Sequence, residues 1–317
     1  MIEFIKITNT RDLITVPTEV KANWIHLEKP SFEEITNLSN KYNFPLDYLT
    51  AVLDNQEISR FESSKENSLD TPVLMLLQYP KQIVSPSGFA QFEALPFSII
   101  MTKDMIITSC NDHLDFISAL ENSRKFDATL PNPERVAIQL SWYFSDLFNT
   151  HIKSIKFETE RLESEIQSST ENKQLFELMD MQKSLVYFNA ALEQNLSVFQ
   201  KVHDANWLMK TPQSQTALFD IMIENKQAIA SGKIQSELLS QLGAMFSAIV
   251  GNNMNIVMKV LTVITISLTI PTLIGGIYGM NVALPFQNEG NAFWWIMFLT
   301  FFLILLTVWL LKKNKFF

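Results

Sequence analysis

The chain is poor in the residues that build most catalytic and metal centres. Its 317 residues include one cysteine, Cys110, which excludes an intrachain disulfide and a cysteine-rich zinc site and fits a reducing compartment. The four histidines, His26, His113, His151 and His203, form no His-Glu-x-x-His pair. The eight glycines give neither a P-loop nor a dinucleotide fingerprint. No enzyme signature therefore remains. Positive charge is also scarce, with 25 Lys and Arg against 33 Asp and Glu and a net charge of −8. That balance argues against nucleic-acid binding, which needs a positive surface. It is compatible with cation traffic, although acidic side chains also simply keep a domain soluble. The N-terminal stretch 1–6 lacks the apolar core of a secretory signal, so the part preceding the C-terminal apolar runs is expected in the cytoplasm.

Charge is missing altogether from two C-terminal runs, 260–278 and 292–311. A helix rises 1.5 Å per residue, so each run is long enough for a hydrocarbon core of roughly 30 Å. A buried helix of a soluble protein could be as apolar, but no further chain follows to cover two such runs, and both are read as transmembrane. Lys259 precedes the first run, and Lys312, Lys313 and Lys315 follow the second. The connection 279–291 has no Lys or Arg and a single acid, Glu289. The positive-inside bias then predicts a multi-pass protein of the cell membrane with both termini cytoplasmic and the connection outside. Trp294 and Trp295 fall where an interfacial aromatic belt is expected.

Before the membrane, short apolar runs at 2–7, 24–27, 73–79, 97–101 and 105–109 predict strands. Ser31-Phe32-Glu33-Glu34 is a capping box opening a helix toward Tyr42. Helices are also expected at 44–53 and 113–122, with Pro80, Pro86, Gly88 and Pro96 marking turns. From Asn132-Pro133-Glu134 onward the pattern is helical only: one helix to about Gln167, a polar break at 167–170, and a second helix from Glu171 to about Trp207. Thr211-Pro212 starts a third. No proline follows until Pro271, so one helix of roughly 90 to 100 Å can run from the soluble part through the first span.

Read at alternate steps of three and four, that helix carries a stripe of small and polar residues: Gln241, Ala244, Ala248, Gly251, Asn255, Met258, Thr262, Thr265, Thr269, Thr272 and Gly276. Such a repeat predicts several copies supercoiled about one axis with the stripe facing inward. Threonines in membrane helices also bond their own backbone, and small residues also mediate packing. Four threonines on one line, ending at a polar loop, favour a pore lining. Two helices per chain cannot enclose a pore, so a symmetric oligomer is required.

At Tyr278-Gly279-Met280-Asn281 the chain resembles the CorA family of divalent-cation channels, whose signature is Gly-Met-Asn directly after the first of two C-terminal transmembrane helices. The motif stands at the family's spacing from Val257-Met258-Lys259-Val260-Leu261-Thr262 and is followed by a Lys-rich tail. Trp24-Ile25, Asp54, Glu57, Ser59-Arg60 and Glu62 extend the likeness into the soluble part. The resemblance implies an α+β chain assembled into a funnel-shaped homopentamer in the lipid bilayer. Its parts would be a cytosolic α/β/α domain (1–131), two long cytosolic helices (132–210), a stalk helix (211–259), a pore-lining first transmembrane helix (260–278), an extracellular selectivity loop (279–291), a second transmembrane helix (292–311) and a basic tail (312–317). Gly279, Met280 and Asn281 carry over as the selectivity loop. Asn255, Met258, Leu261, Thr262, Thr265, Thr269, Thr272 and Gly276 carry over as pore lining. The stripe picks all of these except Leu261.

Mg²⁺ is the implied cargo and a regulatory ion as well, with cobalt and nickel as further cargo and no cofactor. Mg²⁺ sheds its waters reluctantly, so a mouth that catches the hydrated ion needs neutral oxygens, which a ring of Asn281 amides could supply. Met258 and Leu261 would form an apolar constriction. Asp220 falls at the family's regulatory carboxylate position. Its usual partner is not evident, because the corresponding stretch reads Gln78-Tyr79-Pro80-Lys81. Pro271 stands one residue from the family's proline. A zinc transporter of the related ZntB type is the alternative, against which Met280 keeps the magnesium-type motif. A membrane-anchored scaffold would need no polar stripe.

Overall fold

The computed structural model describes residues 1–8, 13–63, 68–122, 132–168, 172–285 and 289–313. It divides into two compact units, Met1–Gly243 and Ala244–Phe317. The first contains seven strands: β1 (Ile2–Ile7), β2 (Leu13–Thr15), β3 (Trp24–Glu28), β4 (Arg60–Glu62), β5 (Val73–Val84), β6 (Ala90–Met101) and β7 (Ile106–Cys110). They form one sheet in the order β2-β1-β3-β7-β6-β5-β4. Only β3 and β7 pair in parallel, and every other pairing is antiparallel, which makes the unit α+β. Three short helices accompany the sheet, α1 (Phe32–Tyr42), α2 (Asp47–Thr50) and α3 (Ile117–Asn122). Two long ones follow, α4 (Asn132–Ser168) and α5 (Asn172–Asp204).

Alternation along the strands builds two cores. Side chains at successive strand positions point to opposite faces, so Val73, Met75, Leu77 and Tyr79 join Phe144 of α4 and Phe199 of α5 in one cluster. Leu74 and Leu76 join Ile35 and Leu38 of α1 and Leu49 of α2 in the other. The result is three layers, helix on both faces of a sheet, as the sequence leads one to expect. Leu218 and Ile221, from the start of α6 (Pro212–Tyr278), belong to the first cluster. The predicted helix starts are built as expected: Glu34 N–H donates to Ser31 Oγ while Ser31 N–H donates to Glu34 Oε2. Ser214 N–H likewise donates to Thr211 Oγ1 ahead of the first turn of α6.

Two predicted turn prolines lie inside strands instead. Pro80 pairs with Ala94 and Pro96 with Gln78 in the β5·β6 ladder. In an antiparallel ladder alternate residues turn their backbone groups away from the partner. Gln78 does so, because its N–H donates to Asn195 Oδ1 at 2.9 Å and its carbonyl accepts from Asn195 Nδ2 at 2.8 Å. Pro80 shares that phase, two residues on, where β5 has no pairing with β4. The missing N–H therefore costs no ladder bond. The turn itself is Ser85 to Gly88, closed by Gly88 N–H to Ser85 O at 2.9 Å with Gly88 at φ 85°. The helix expected over 44–53 narrows to α2 and a single tighter turn at Ala51–Leu53, and the one expected over 113–122 starts at Ile117. Of the polar break, residues 169–170 lie outside the described residues, as does residue 171, where the second helix was expected to start.

The second unit holds the remainder of α6 and α7 (Ala292–Lys313), both long and apolar enough to cross a bilayer. Beyond Gly251 only Thr300 is buried among the described residues. Among the described residues these apolar surfaces are largely uncovered, which suits helices solvated by lipid.

Candidate ion-conduction path

The absence of proline between Pro212 and Pro271 has its consequence in α6, which is one helix to Tyr278. Pro271 lies inside it, and its ring nitrogen leaves the Ser267 carbonyl without the usual i+4 donor. Asn255, Met258, Thr262, Thr265, Thr269, Thr272 and Gly276 follow at steps of three and four, and all are exposed in the single chain. Leu261, also exposed, stands three residues after Met258 and four before Thr265, on the adjoining line of the same side. The structure thus brings all eight lining candidates to one side of one helix.

Each of the four threonines donates its hydroxyl hydrogen to the carbonyl four residues back: Thr262 to Met258, Thr265 to Leu261 and Thr269 to Thr265, each at 2.8 Å, and Thr272 to Leu268 at 2.9 Å. This is the self-bonding that competes with a pore role in the sequence. The two roles are compatible. A hydroxyl has one donor and two acceptor lone pairs, so once the hydrogen is committed to the backbone, what remains is acceptor only. An acceptor-only row suits the outward-pointing hydrogens of a cation's water shell.

At the end of α6 the chain turns tightly. Gly279 N–H donates to Gly275 O at 2.9 Å and Met280 N–H to Ile277 O at 3.2 Å. A Cβ on Gly279 would stand 3.2 Å from the Gly275 carbonyl oxygen, so the close approach favours glycine. Tyr278 Oη donates to Pro285 O at 3.3 Å and ties the loop back to the helix end. No local signal in the sequence points to that tie, since it joins two residues across the turn. Met280 and Asn281 are exposed, and the Asn281 amide has no side-chain bond among the described residues. The second helix begins with Ala292 N–H on Glu289 O and Trp294 N–H on Asn291 O.

Asp220 lies in the other unit, exposed on α6 between Phe219 and Ile223, which are 53% and 49% exposed. The Gln78–Lys81 stretch brings it no carboxylate: Gln78 Nε2 donates to Glu57 O and Lys81 pairs with Asp112. No cluster of three or more His, Cys, Asp or Glu fit to hold a metal occurs among the described residues. One of the first unit's buried polar groups surrounds His26. Thr108 Oγ1 accepts from Trp24 Nε1 at 2.8 Å and lies 2.9 Å from His26 Nδ1, while Cys110 Sγ donates to Asp112 O. Burial lowers the His26 imidazole to about 4 and pushes the Cys110 thiol up to about 12. Both are neutral at pH 7, which suits packing and not chemistry.

Comparison with known proteins finds likenesses that span most of the chain. A cobalt/magnesium transport protein CorA of Methanocaldococcus jannaschii is 23% identical over 299 residues, covering 92% of this chain and 90% of that protein. The complete structure of the CorA magnesium transporter from the same organism superposes with a TM-score of 0.78 at 21% identity, covering 99% of this chain and 98% of that one. The cytoplasmic domain of ZntB from Vibrio parahaemolyticus superposes with a TM-score of 0.59 at 11% identity, covering 79% of this chain and 98% of that one. The family model described as CorA-like Mg²⁺ transporter protein matches residues 19–313, and the chain belongs to that family of membrane transporters of divalent cations.

Proposed function

We propose that this chain is a magnesium channel of the cell membrane that works as a homopentamer. The observation that carries the reading is the polar stripe of one uninterrupted helix ending at Gly279-Met280-Asn281. In this reading 1–131 and 132–210 form the cytosolic part, 211–259 the stalk and 260–278 the pore wall. The connection 279–291 is the outer mouth, 292–311 the lipid-facing span and 312–317 a basic cytoplasmic tail. Five Asn281 amides offer neutral oxygens to the water shell of Mg²⁺ without stripping it. Gly279 supplies the close turn. The threonine row accepts hydrogen bonds from the same shell further along, and Met258 and Leu261 narrow the path by an apolar ring that dewets when closed. Net negative charge and the absence of Lys or Arg in the connection agree with cation entry.

Asp220 has the exposure of a group that meets another copy, flanked by exposed Phe219 and Ile223. We assign it a share in a regulatory divalent-cation site between subunits. Asp220→Ala should weaken the inhibition of flux by cytosolic Mg²⁺ and leave transport intact; unchanged inhibition removes that role.

Flux into liposomes, compared for Mg²⁺, Co²⁺, Ni²⁺ and Zn²⁺, tests the cargo. Mg²⁺ entry above Zn²⁺ entry is expected, whereas Zn²⁺ entry without Mg²⁺ entry would move the chain to the ZntB type. Native mass spectrometry of the purified protein should give five copies.

A further inference from the structure

Between the end of α6, the connection and α7 lies a groove of about 550 Å³ whose lining includes Tyr278, Glu289, Ala292, Trp295, Leu299 and Phe302. The α7 members, which also include Ile296 and Phe298, lie on one broad face of that helix, with Ala292, Trp295, Leu299 and Phe302 spaced three or four residues apart along it. Ten steps from Ala292 to Phe302 advance about 15 Å, half of a hydrocarbon core of about 30 Å. α7 continues to Lys313 without lining the groove further. A helix of a second copy laid here would follow α7 for its full length. A groove that closes at mid-bilayer has instead the length of one acyl chain in one leaflet.

The open end has a distinct chemistry. Glu289 is the only charged residue in 279–291, and it has no ion-pair partner among the described residues. Tyr278 and Trp295 stand in the same lining. A carboxylate with aromatic rings is the chemistry that recognises an ammonium group, by a charge-assisted hydrogen bond and by attraction to the ring faces. The same carboxylate repels an anionic headgroup. The indole N–H of Trp295 has no acceptor among the described residues and can donate to a phosphate oxygen.

We propose that this groove holds one phospholipid with a primary-ammonium headgroup, the ammonium on Glu289 and one acyl chain along the Ala292–Phe302 stripe. The proposal rests on the membrane position of α7 and not on which ion is carried. In the test, the full-length protein in mild detergent is offered equal amounts of phosphatidylethanolamine and phosphatidylglycerol with identical chains, and retained lipid is read by native mass spectrometry. Wild type should prefer the ethanolamine lipid by roughly threefold or more. Glu289→Gln should hold the two equally, and Leu299→Trp, which fills the groove and keeps the acid, should lose both. Equal retention by wild type, or a preference that survives in Glu289→Gln, overturns the proposal. Quantitative disulfide cross-linking of Leu299→Cys between subunits overturns it as well, because a second copy would then occupy the groove.

Discussion

Asn281 has no side-chain bond among the described residues, so replacing it removes an acceptor without undoing packing. In a homopentamer Asn281→Ala deletes five amide oxygens from the mouth at once. At about 1 kcal/mol per lost acceptor, Mg²⁺ flux should fall by more than about tenfold. Oligomeric state should be unchanged by native mass spectrometry, and strong Mg²⁺ flux through a well-assembled variant would mean that the filter lies elsewhere. His26 gives a second prediction at this scale. Its imidazole is held neutral, chiefly by burial, at about 4 against an ordinary 6.5, while Glu28 pulls the other way. The unfolded chain accepts the proton first, so stability is lost as pH falls from about 6.5 toward about 4, by up to on the order of 3 kcal/mol. Thermal unfolding midpoints should drop over that window in wild type. The drop should flatten in His26→Gln, and an equal slope in both proteins would assign the acid sensitivity to other groups.

At the scale of elements, the strands were legible as short apolar runs, because most of β5 and all of β7 are buried on both faces, and the long helices α4, α5 and α6 were legible from a local period of three to four. The stripe from Asn255 to Gly276 was legible for the same reason, and Leu261 fell outside it because it occupies the adjoining line. What local patterns missed depends on residues far apart in the chain. Pro80 and Pro96 read as turn residues because proline usually ends a strand; only the register, with their missing N–H groups on the unpaired side, makes them strand residues. The groove beside α7 likewise needs residues of two helices, Tyr278 and the α7 face, to line one space. Asn195 of α5, 117 residues from Gln78, replaces a missing neighbour strand by bonding both backbone groups of Gln78, and it also accepts from Ser59 Oγ at 2.8 Å. Asn195→Leu would keep most of the volume and leave a buried N–H and C=O unpaired. A loss of about 3 kcal/mol in unfolding free energy is expected. A change below about 0.5 kcal/mol in denaturant titration would mean that water takes over both bonds.

At the scale of the whole molecule the proposed orientation in the bilayer rests on lysines: Lys259 before the first span, Lys312 and Lys313 after the second, and none in between. A thiol-labelling test is clean in this chain. The sole cysteine is fully buried, and burial holds its thiol at about 12, so the wild-type background should be silent to maleimide. Gly290 tolerates a side chain, since a Cβ there meets nothing within 4 Å. Ser87, exposed in the β5–β6 turn, provides the opposite reporter. In intact cells an impermeant maleimide should label Gly290→Cys at once and Ser87→Cys only after permeabilisation. The reverse pattern would put the Asn281 turn on the cytoplasmic side, and an outer mouth that selects hydrated Mg²⁺ could not be built from it. Because the two reporters lie on either side of the first span within one chain, a leaky preparation labels both and cannot imitate either ordered result.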